Sequence, residues 1–173
     1  MKEKRKNIVL IGMSGAGKST LGVLLAKALG MHFCDTDIVI QQTDGRLLQQ
    51  IIDADGTERF LEIEENAICS LTLANCIIAT GGSAVYSQKA MRHLKRDGVC
   101  VYLKVDFESL AGRLSNITTR GIVFKGKSDL RSVYTERLPL YEAYADLCVD
   151  CTARDVESSV GEIIRNLREM EVL

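Results

Sequence analysis

The nine residues Gly12-Met13-Ser14-Gly15-Ala16-Gly17-Lys18-Ser19-Thr20 constrain this chain more than any other stretch. They match GxxxxGK[ST]. They lie between a short β-branched apolar run, Asn7 to Ile11, and a segment with Leu21, Leu24, Leu25, Ala28 and Leu29 at helical spacing, closed by Gly30. A strand, a glycine-rich turn and a helix in that order turn successive backbone N–H groups inward, at a helix N-terminus whose dipole favours anions. Lys18 is placed to reach the β and γ phosphates of a nucleotide, and the Ser19 hydroxyl to ligate Mg²⁺. Gly12, Ser14, Gly15, Ala16, Gly17, Lys18, Ser19 and Thr20 are therefore the predicted phosphate-binding residues. The glycine spacing is not the GxGxxG of dinucleotide folds, so a nucleoside triphosphate is favoured. The plain alternative is a glycine-rich turn that binds nothing.

Beyond the first helix the pattern alternates. Strands are predicted over Met31 to Cys34, Cys76 to Ala79, Val99 to Val105 and Leu147 to Val149. Helices are predicted across Ile38 to Leu73 with breaks at Gly45 and Gly56, then over Gln88 to Arg96, Phe107 to Leu114 and Asp129 to Ala145, with a closing helix carrying Val156, Val160, Ile163, Ile164 and Leu167 on one stripe. Continuous apolar strands each followed by a helix indicate an α/β fold, a parallel sheet covered on both faces. With 173 residues, the expectation is one domain spanning 1–173. Asn116 to Ser128 is long for a connector and carries Gly121 and Gly126, so a lid over about 116–130 is expected.

Composition narrows the function classes. A net charge of −1, from 22 basic against 23 acidic residues, gives no footprint for a nucleic-acid backbone or an anionic membrane. The basic start Met1 to Lys6 is followed only by Ile8 to Ile11 before glycines intervene, which does not make a signal peptide, and no run reaches the ~18 to 20 apolar residues of a membrane helix. A cytoplasmic protein acting on a small molecule, without nucleic-acid or membrane partners and monomeric, is the expectation. Four of the six cysteines, Cys34, Cys76, Cys100 and Cys148, fall in predicted strands and read as buried small hydrophobes of a reducing compartment. Cys148 and Cys151 form a lone CxxC; without a second pair, metal or redox use is disfavoured.

Further residues carry candidate chemistry. Asp35 and Asp37 follow the second strand, and residues i and i+2 of an extended chain face one side, so both carboxylates are expected beside the phosphate loop. One can hold Mg²⁺ through water while the other takes the proton of an attacking hydroxyl; Asp37 as a simple helix cap is the alternative. Arg113, Arg120, Lys125, Lys127 and Arg131 crowd the long loop with only Asp129 opposing them, which fits a basic lid closing over ATP, or an ordinary solvated loop. Arg137 precedes Pro139, where a helix is expected to bend or start. Arg137 there can bind a carboxylate or phosphate, or pair at the surface with Glu136 or Glu142. Gly81-Gly82 lets a ligand approach the backbone, or makes a tight turn.

Taken together, GMSGAGKST, Asp35-Thr36-Asp37, Gly56 with Phe60 and Glu64, Gly81-Gly82, Arg120, the RxPxY of Arg137 to Tyr141 and Val149-Asp150 resemble the shikimate kinase family over nearly the whole chain. The resemblance implies a three-layer P-loop fold of the nucleoside-monophosphate-kinase type, with a five-stranded parallel sheet and a lid. It implies transfer of the γ-phosphoryl group of MgATP to a ring hydroxyl of shikimate, in aromatic amino acid biosynthesis. Under it Lys18 and Ser19 bind phosphate and Mg²⁺, Asp35 binds Mg²⁺ through water, and Asp37 contacts the acceptor hydroxyl. Arg120 is the lid arginine on the phosphates, and Arg137, with Gly82, lies at the acceptor. Arg113 and Arg154 correspond to residues flanking the adenine.

The chain also departs from the pattern. Where the family reads GExxFRxxE, Thr57 replaces the first glutamate and Leu61 replaces an arginine on the shikimate carboxylate. A third glycine is Ser83, and Gly121 follows Arg120 in place of proline. Losing a charge-assisted bond to a carboxylate costs ~1.5 to 3 kcal/mol, roughly one to two decades in affinity. Arg59, about 200° away around a helix, is not expected to substitute. A different acceptor, a sugar acid or polyol, and ATP binding without this activity stay open beside shikimate. A switch or motor ATPase is disfavoured, because Lys104 interrupts the apolar run before Asp106 and no NKxD motif is present.

Overall fold

In the computed structural model, residues 6–115 and 129–173 are described. Five strands, β1 (Asn7–Ile11), β2 (His32–Asp35), β3 (Cys76–Ala79), β4 (Gly98–Lys104) and β5 (Leu147–Asp150), form one sheet in the order β2-β3-β1-β4-β5. All neighbours run parallel, with Ile8 opposite Ile77 on one side and Val99 on the other. The helices are α1 (Lys18–Leu29), α2 (Thr36–Asp44), α3 (Leu48–Cys69), α4 (Gln88–Arg96), α5 (Phe107–Ser115), α6 (Leu130–Tyr144) and α7 (Val156–Glu169), and Ala84–Tyr86 makes a 3₁₀ turn. The elements expected from periodicity are all present, with ends shifted by one or two residues except for the helical stretch expected to reach Leu73, which stops at Cys69.

Every residue of β1 and β3 is buried, as are the five central residues of β4, which is why these strands read as unbroken apolar runs. The edge strands β2 and β5 are less covered. Two of the four cysteines expected to be buried are not. Cys76 and Cys100 are buried, but Cys34 is only half-buried and Cys148 is exposed, because both sit on edge strands that no further strand covers. Cys148 and Cys151 are both free thiols, and Cys151 is buried.

The sheet's connectivity positions the site. β1 lies between β3 and β4, so the chain leaves it to opposite sides, and the crevice at the carboxyl ends of the strands opens there. Gly12, directly after β1, has φ 145°, and a side chain there would drive its Cβ to 2.8 Å from the Leu103 carbonyl oxygen of β4. Only glycine lets the loop leave the sheet at that point.

A second, smaller core lies apart from the sheet: Ile40 of α2 packs with Leu48, Ile51 and Phe60 of α3. Gly56 interrupts α3 with φ 82° and ψ 167°, as its position in the pattern suggested. Arg46, between the two helices, bridges Asp44 at 2.6 Å and Asp55 at 2.7 Å. The α6 helix does not begin at Pro139 but runs through it, for Asp129 already caps the helix by accepting from the Ser132 N–H at 2.8 Å. The expected lid, with Arg120, Gly121, Lys125 and Lys127, lies outside the described residues except for its last two positions.

Candidate active site

Helices α2, α4, α6 and α7 are each capped at the N-terminus by a side chain, whereas α1 begins at Gly17 with no side-chain cap and no acidic residue in its first turn. Its leading N–H groups and the positive end of its dipole are left for an anion. Lys18 is 7% exposed, and its Nζ donates to the Gly12 and Met13 carbonyl oxygens, both at 2.7 Å. The ammonium group is thus held inside the loop it serves.

Ser19 donates its hydroxyl to Asp35 Oδ2 at 2.5 Å. Asp35 Oδ1 accepts the Asp37 N–H at 2.9 Å, so Asp35 ends β2 and caps α2 at once. The expectation that Asp35 and Asp37 project together from an extended segment is overturned: Asp37 stands in the first turn of α2. The capping hydrogen bond folds the chain into helix one residue after β2, and this also reverses the alternative in which Asp37 was the cap. Two oxygens from Ser19 and Asp35 nonetheless meet at the loop, a hard donor set of the type Mg²⁺ takes when most of its ligands are water and phosphate.

Two cavities flank the loop. One, of about 510 Å³, is lined by Ser14, Lys18, Ser19, Asp37, Thr80, Gly81 and Gly82, with Gln41 and Leu47 on its α2–α3 side. The other, of about 380 Å³, brings Gly15, Gly17, Thr20, Arg113 and Arg154 together with Cys151 and Val156. Arg113 donates to the Gly15 carbonyl at 3.2 Å and to the Cys151 carbonyl at 3.4 Å. Arg154 pairs with Glu162. Arg131, by contrast, is drawn away from the loop: it pairs with Glu108 at 2.8 Å and lies over the Phe107 ring, so the basic cluster is opposed by more than Asp129.

Arg137 is 1% exposed, which excludes the surface pairing considered for it. Its Nε donates to the Tyr86 hydroxyl at 3.2 Å, and a Cβ on Gly82 would lie 2.9 Å from its Nη1 and 3.1 Å from Ser14 Oγ. Glycine at 82 keeps that space open between the loop and the guanidinium. Tyr141, the end of the RxPxY segment, donates its hydroxyl to the Gly82 carbonyl at 2.6 Å and stacks on Tyr102 of β4 with ring centroids 5.2 Å apart.

Glu64 is the residue whose place was least visible in the chain. It is 2% exposed; Ser83 donates to its Oε2 at 2.6 Å, and its Oε1 has no hydrogen-bond partner among the described residues. Burial pushes its carboxyl up to about 7, against the Ser83 hydrogen bond that lowers it; Asp37 adds to the rise, and Arg137 and Lys18 oppose it. Leu61, one turn earlier, packs beside the α2–α3 core and lines a third cavity, of about 220 Å³, with Glu64, Ser83 and Tyr86. Arg59 points elsewhere: it is exposed and pairs with Glu62 at 2.7 Å.

A family profile described as shikimate kinase matches residues 14–168. Shikimate kinase of Thermodesulfovibrio yellowstonii is 36% identical over 168 residues, covering 95% of this chain and 96% of the relative. That of Vibrio vulnificus is 37% identical over 172 residues, covering 98% and 99%. Among solved structures, shikimate kinase from Acinetobacter baumannii in complex with shikimate superposes with a TM-score of 0.89 at 27% identity, over 99% of this chain and 97% of that one. Thymidylate kinase from Candida albicans, at 12% identity and a TM-score of 0.65, shares the fold.

Proposed function

This chain belongs to the shikimate kinase family, and from that premise we propose that it transfers the γ-phosphoryl group of MgATP to a hydroxyl of shikimate, giving 3-phosphoshikimate for aromatic amino acid biosynthesis. The observation that carries the reading is the shared cavity: Lys18 and Ser19 of the phosphate loop, Asp37 of α2 and Gly81-Gly82 after β3 all line one space of about 510 Å³. A sugar-acid or polyol acceptor, or ATP binding without turnover, is not favoured, since the full-length relatives are shikimate kinases.

The loop amides and the α1 N-terminus would take the phosphates, with Gly12, Ser14, Gly15, Ala16, Gly17 and Thr20 shaping the cradle. Ser19 and Asp35 would hold Mg²⁺. Bound there, the ion neutralises charge on the phosphate oxygens. Lys18 exchanges the Gly12 and Met13 carbonyls for phosphate oxygens and stabilises the transferring group. Asp37 receives the proton of the acceptor hydroxyl as its oxygen bonds to the γ-phosphorus and the bond to the ADP oxygen breaks. Arg137, next to Gly82, offers a planar fork for the acceptor's carboxylate. Arg113 and Arg154 flank the base in the second cavity. Arg120, in a lid over about 116–130, would add positive charge to the phosphates and exclude water.

We read the molecule as one catalytic domain over 1–173, cytoplasmic and monomeric, with small molecules rather than nucleic acid as partners. Its near-zero net charge supports small molecules rather than nucleic acid as partners, and among the described residues no helix is long and apolar enough to cross a membrane. The test is ADP release with purified protein, MgATP and a panel of hydroxy acids and polyols. Release that depends on shikimate and on no other panel member is expected; release with another acceptor and none with shikimate would overturn the assignment.

A further inference from the structure

Two glutamines line the large cavity with their amide oxygens already engaged. The Leu48 N–H donates to Gln41 Oε1 at 3.2 Å, and the Leu47 N–H donates to Gln50 Oε1 at 2.9 Å, so both side chains serve the start of α3. A backbone N–H can only donate, which fixes the oxygen as the end of each amide that meets it and leaves the NH₂ as the other. Among the described residues neither Nε2 has a hydrogen-bond partner, and that of the half-buried Gln41 is open to solvent. Gln41 follows Asp37 by four residues on α2. The two therefore stand on one face of the helix, about 6 Å apart along its axis, and both line the same cavity, while Ile40 is buried in the core shared with α3. Among the described residues, Asp37 is the only charged one that α2 or α3 contributes to this lining. Leu61 packs against the α2–α3 core and lines the smaller cavity instead.

One helical turn beyond the carboxylate assigned to the acceptor hydroxyl, the cavity wall thus carries amide groups with hydrogens to donate and their oxygens occupied. Such a group suits an oxygen that accepts and cannot donate. Resting on the kinase reading above, we propose that Gln41 is a further acceptor-binding residue, whose Nε2 donates to the carboxylate of the acceptor while the acceptor's hydroxyl lies on Asp37. In shikimate the carboxylate is borne by the ring carbon two bonds from the one that carries the 3-hydroxyl, a separation that one helical turn spans. Arg137, beside Gly82, takes one carboxylate oxygen and Gln41 the other. Gln50, which is exposed, presents a second amide to the same space. The class selected is a hydroxy acid with hydroxyl and carboxylate in this 1,3 relation. A polyol offers the amide no anion.

The experiment compares wild type, Gln41→Leu and Gln41→Glu, with shikimate and ATP dissociation constants from calorimetry, turnover from ADP release and melting temperatures. Gln41→Glu keeps an oxygen for the Leu48 N–H at a helix N-terminus that favours negative charge, so its melting temperature should not fall. It replaces the donor by a carboxylate facing a carboxylate. Gln41→Leu is expected to weaken shikimate roughly 10-fold, the worth of a hydrogen bond to a charged group. Gln41→Glu should weaken it by at least about threefold more, because like charges repel. ATP affinity should stay within twofold in both. If Gln41 merely caps α3, the order reverses: the glutamate variant binds shikimate like wild type, and the proposal is overturned. Wild-type affinity in the leucine variant, a glutamate loss no larger than the leucine loss, or an equal loss for ATP overturns it too. Should the leucine variant not fold, the glutamate variant decides against wild type alone. If wild type binds shikimate without turning it over, the kinase reading fails while the affinity ratios still decide the role of Gln41; if shikimate does not bind, both fall.

Discussion

The nucleotide side of this molecule is part of its central sheet, while the acceptor side hangs on two helices with a core of their own. β1 is fully buried, the phosphate loop leaves it directly, and Lys18 and Arg113 are tied to backbone carbonyls of the loop. On the other side, α2 and α3 share a core of Ile40, Leu48, Ile51 and Phe60, α3 is broken at Gly56, and Arg46 ties the two helices through ion pairs at the surface. The difference follows from what each side must recognise. Phosphates are held by backbone N–H groups, so loop geometry has to be exact and is bought with burial. In the proposed reaction the acceptor is held by side chains, which can change one at a time. Leu61 and Ser83 stand on that side, against a phosphate motif with no departure.

The comparison breaks most visibly at its ends. Lys18→Ala should lower kcat by ~10²-fold or more, because the ammonium group held inside the loop is lost from the transferring charge; its melting temperature shows whether the fold survives. If activity persists, the nucleotide half is misassigned. Arg137→Met keeps much of the buried volume and removes the charge, so the shikimate KM should rise roughly 10- to 100-fold, matching ~1.5 to 3 kcal/mol for a hydrogen bond to a charged group, with the ATP KM within twofold. An equal rise for ATP would erase the division between the two sides.

Glu64 gives a pH signature. Burial lifts its carboxyl from about 4.5 to about 7, so its protonated form is the one the fold favours. That contribution is fully present below about 4.5 and is lost as pH rises through about 7. Wild type should lose stability between these values, by a few kcal/mol at most on the order of 1.4 kcal/mol per pH unit, and Glu64→Gln should flatten that part of the curve of melting temperature against pH. An unchanged slope would mean that Glu64 stays ionised in the fold. The smallest effect is expected of Arg46→Ala. Its ion pairs are only partly buried and partly screened, so the change should be a slight weakening of shikimate alone, measured by calorimetry at low and at physiological salt.

How far these features could be read from the chain depends on whether local or distant contacts produce them. The phosphate loop, the breaks at Gly45 and Gly56 and the buried strands follow from spacing and from residue type, which are local. The chain alone puts Asp37 on extended backbone, but the Asp35 cap, two residues away, starts helix α2 at Thr36, directly after the strand. Arg137 and Glu64 sit in polar helical stretches that look solvated, and only the docking of α3 and α6 around the 3₁₀ turn buries them. The Ser83 bond to Glu64 spans 19 residues, and nothing in their spacing announces it. The edge position of β5, which exposes Cys148, is likewise set by strand order rather than by composition.

The most direct measurement is phosphorus NMR of a mixture of the purified protein, MgATP and shikimate. The account requires the γ-phosphate resonance of ATP to be replaced by ADP and one phosphomonoester resonance on the shikimate ring at the 3-oxygen. ATP left intact, or converted only to ADP and inorganic phosphate, would contradict it.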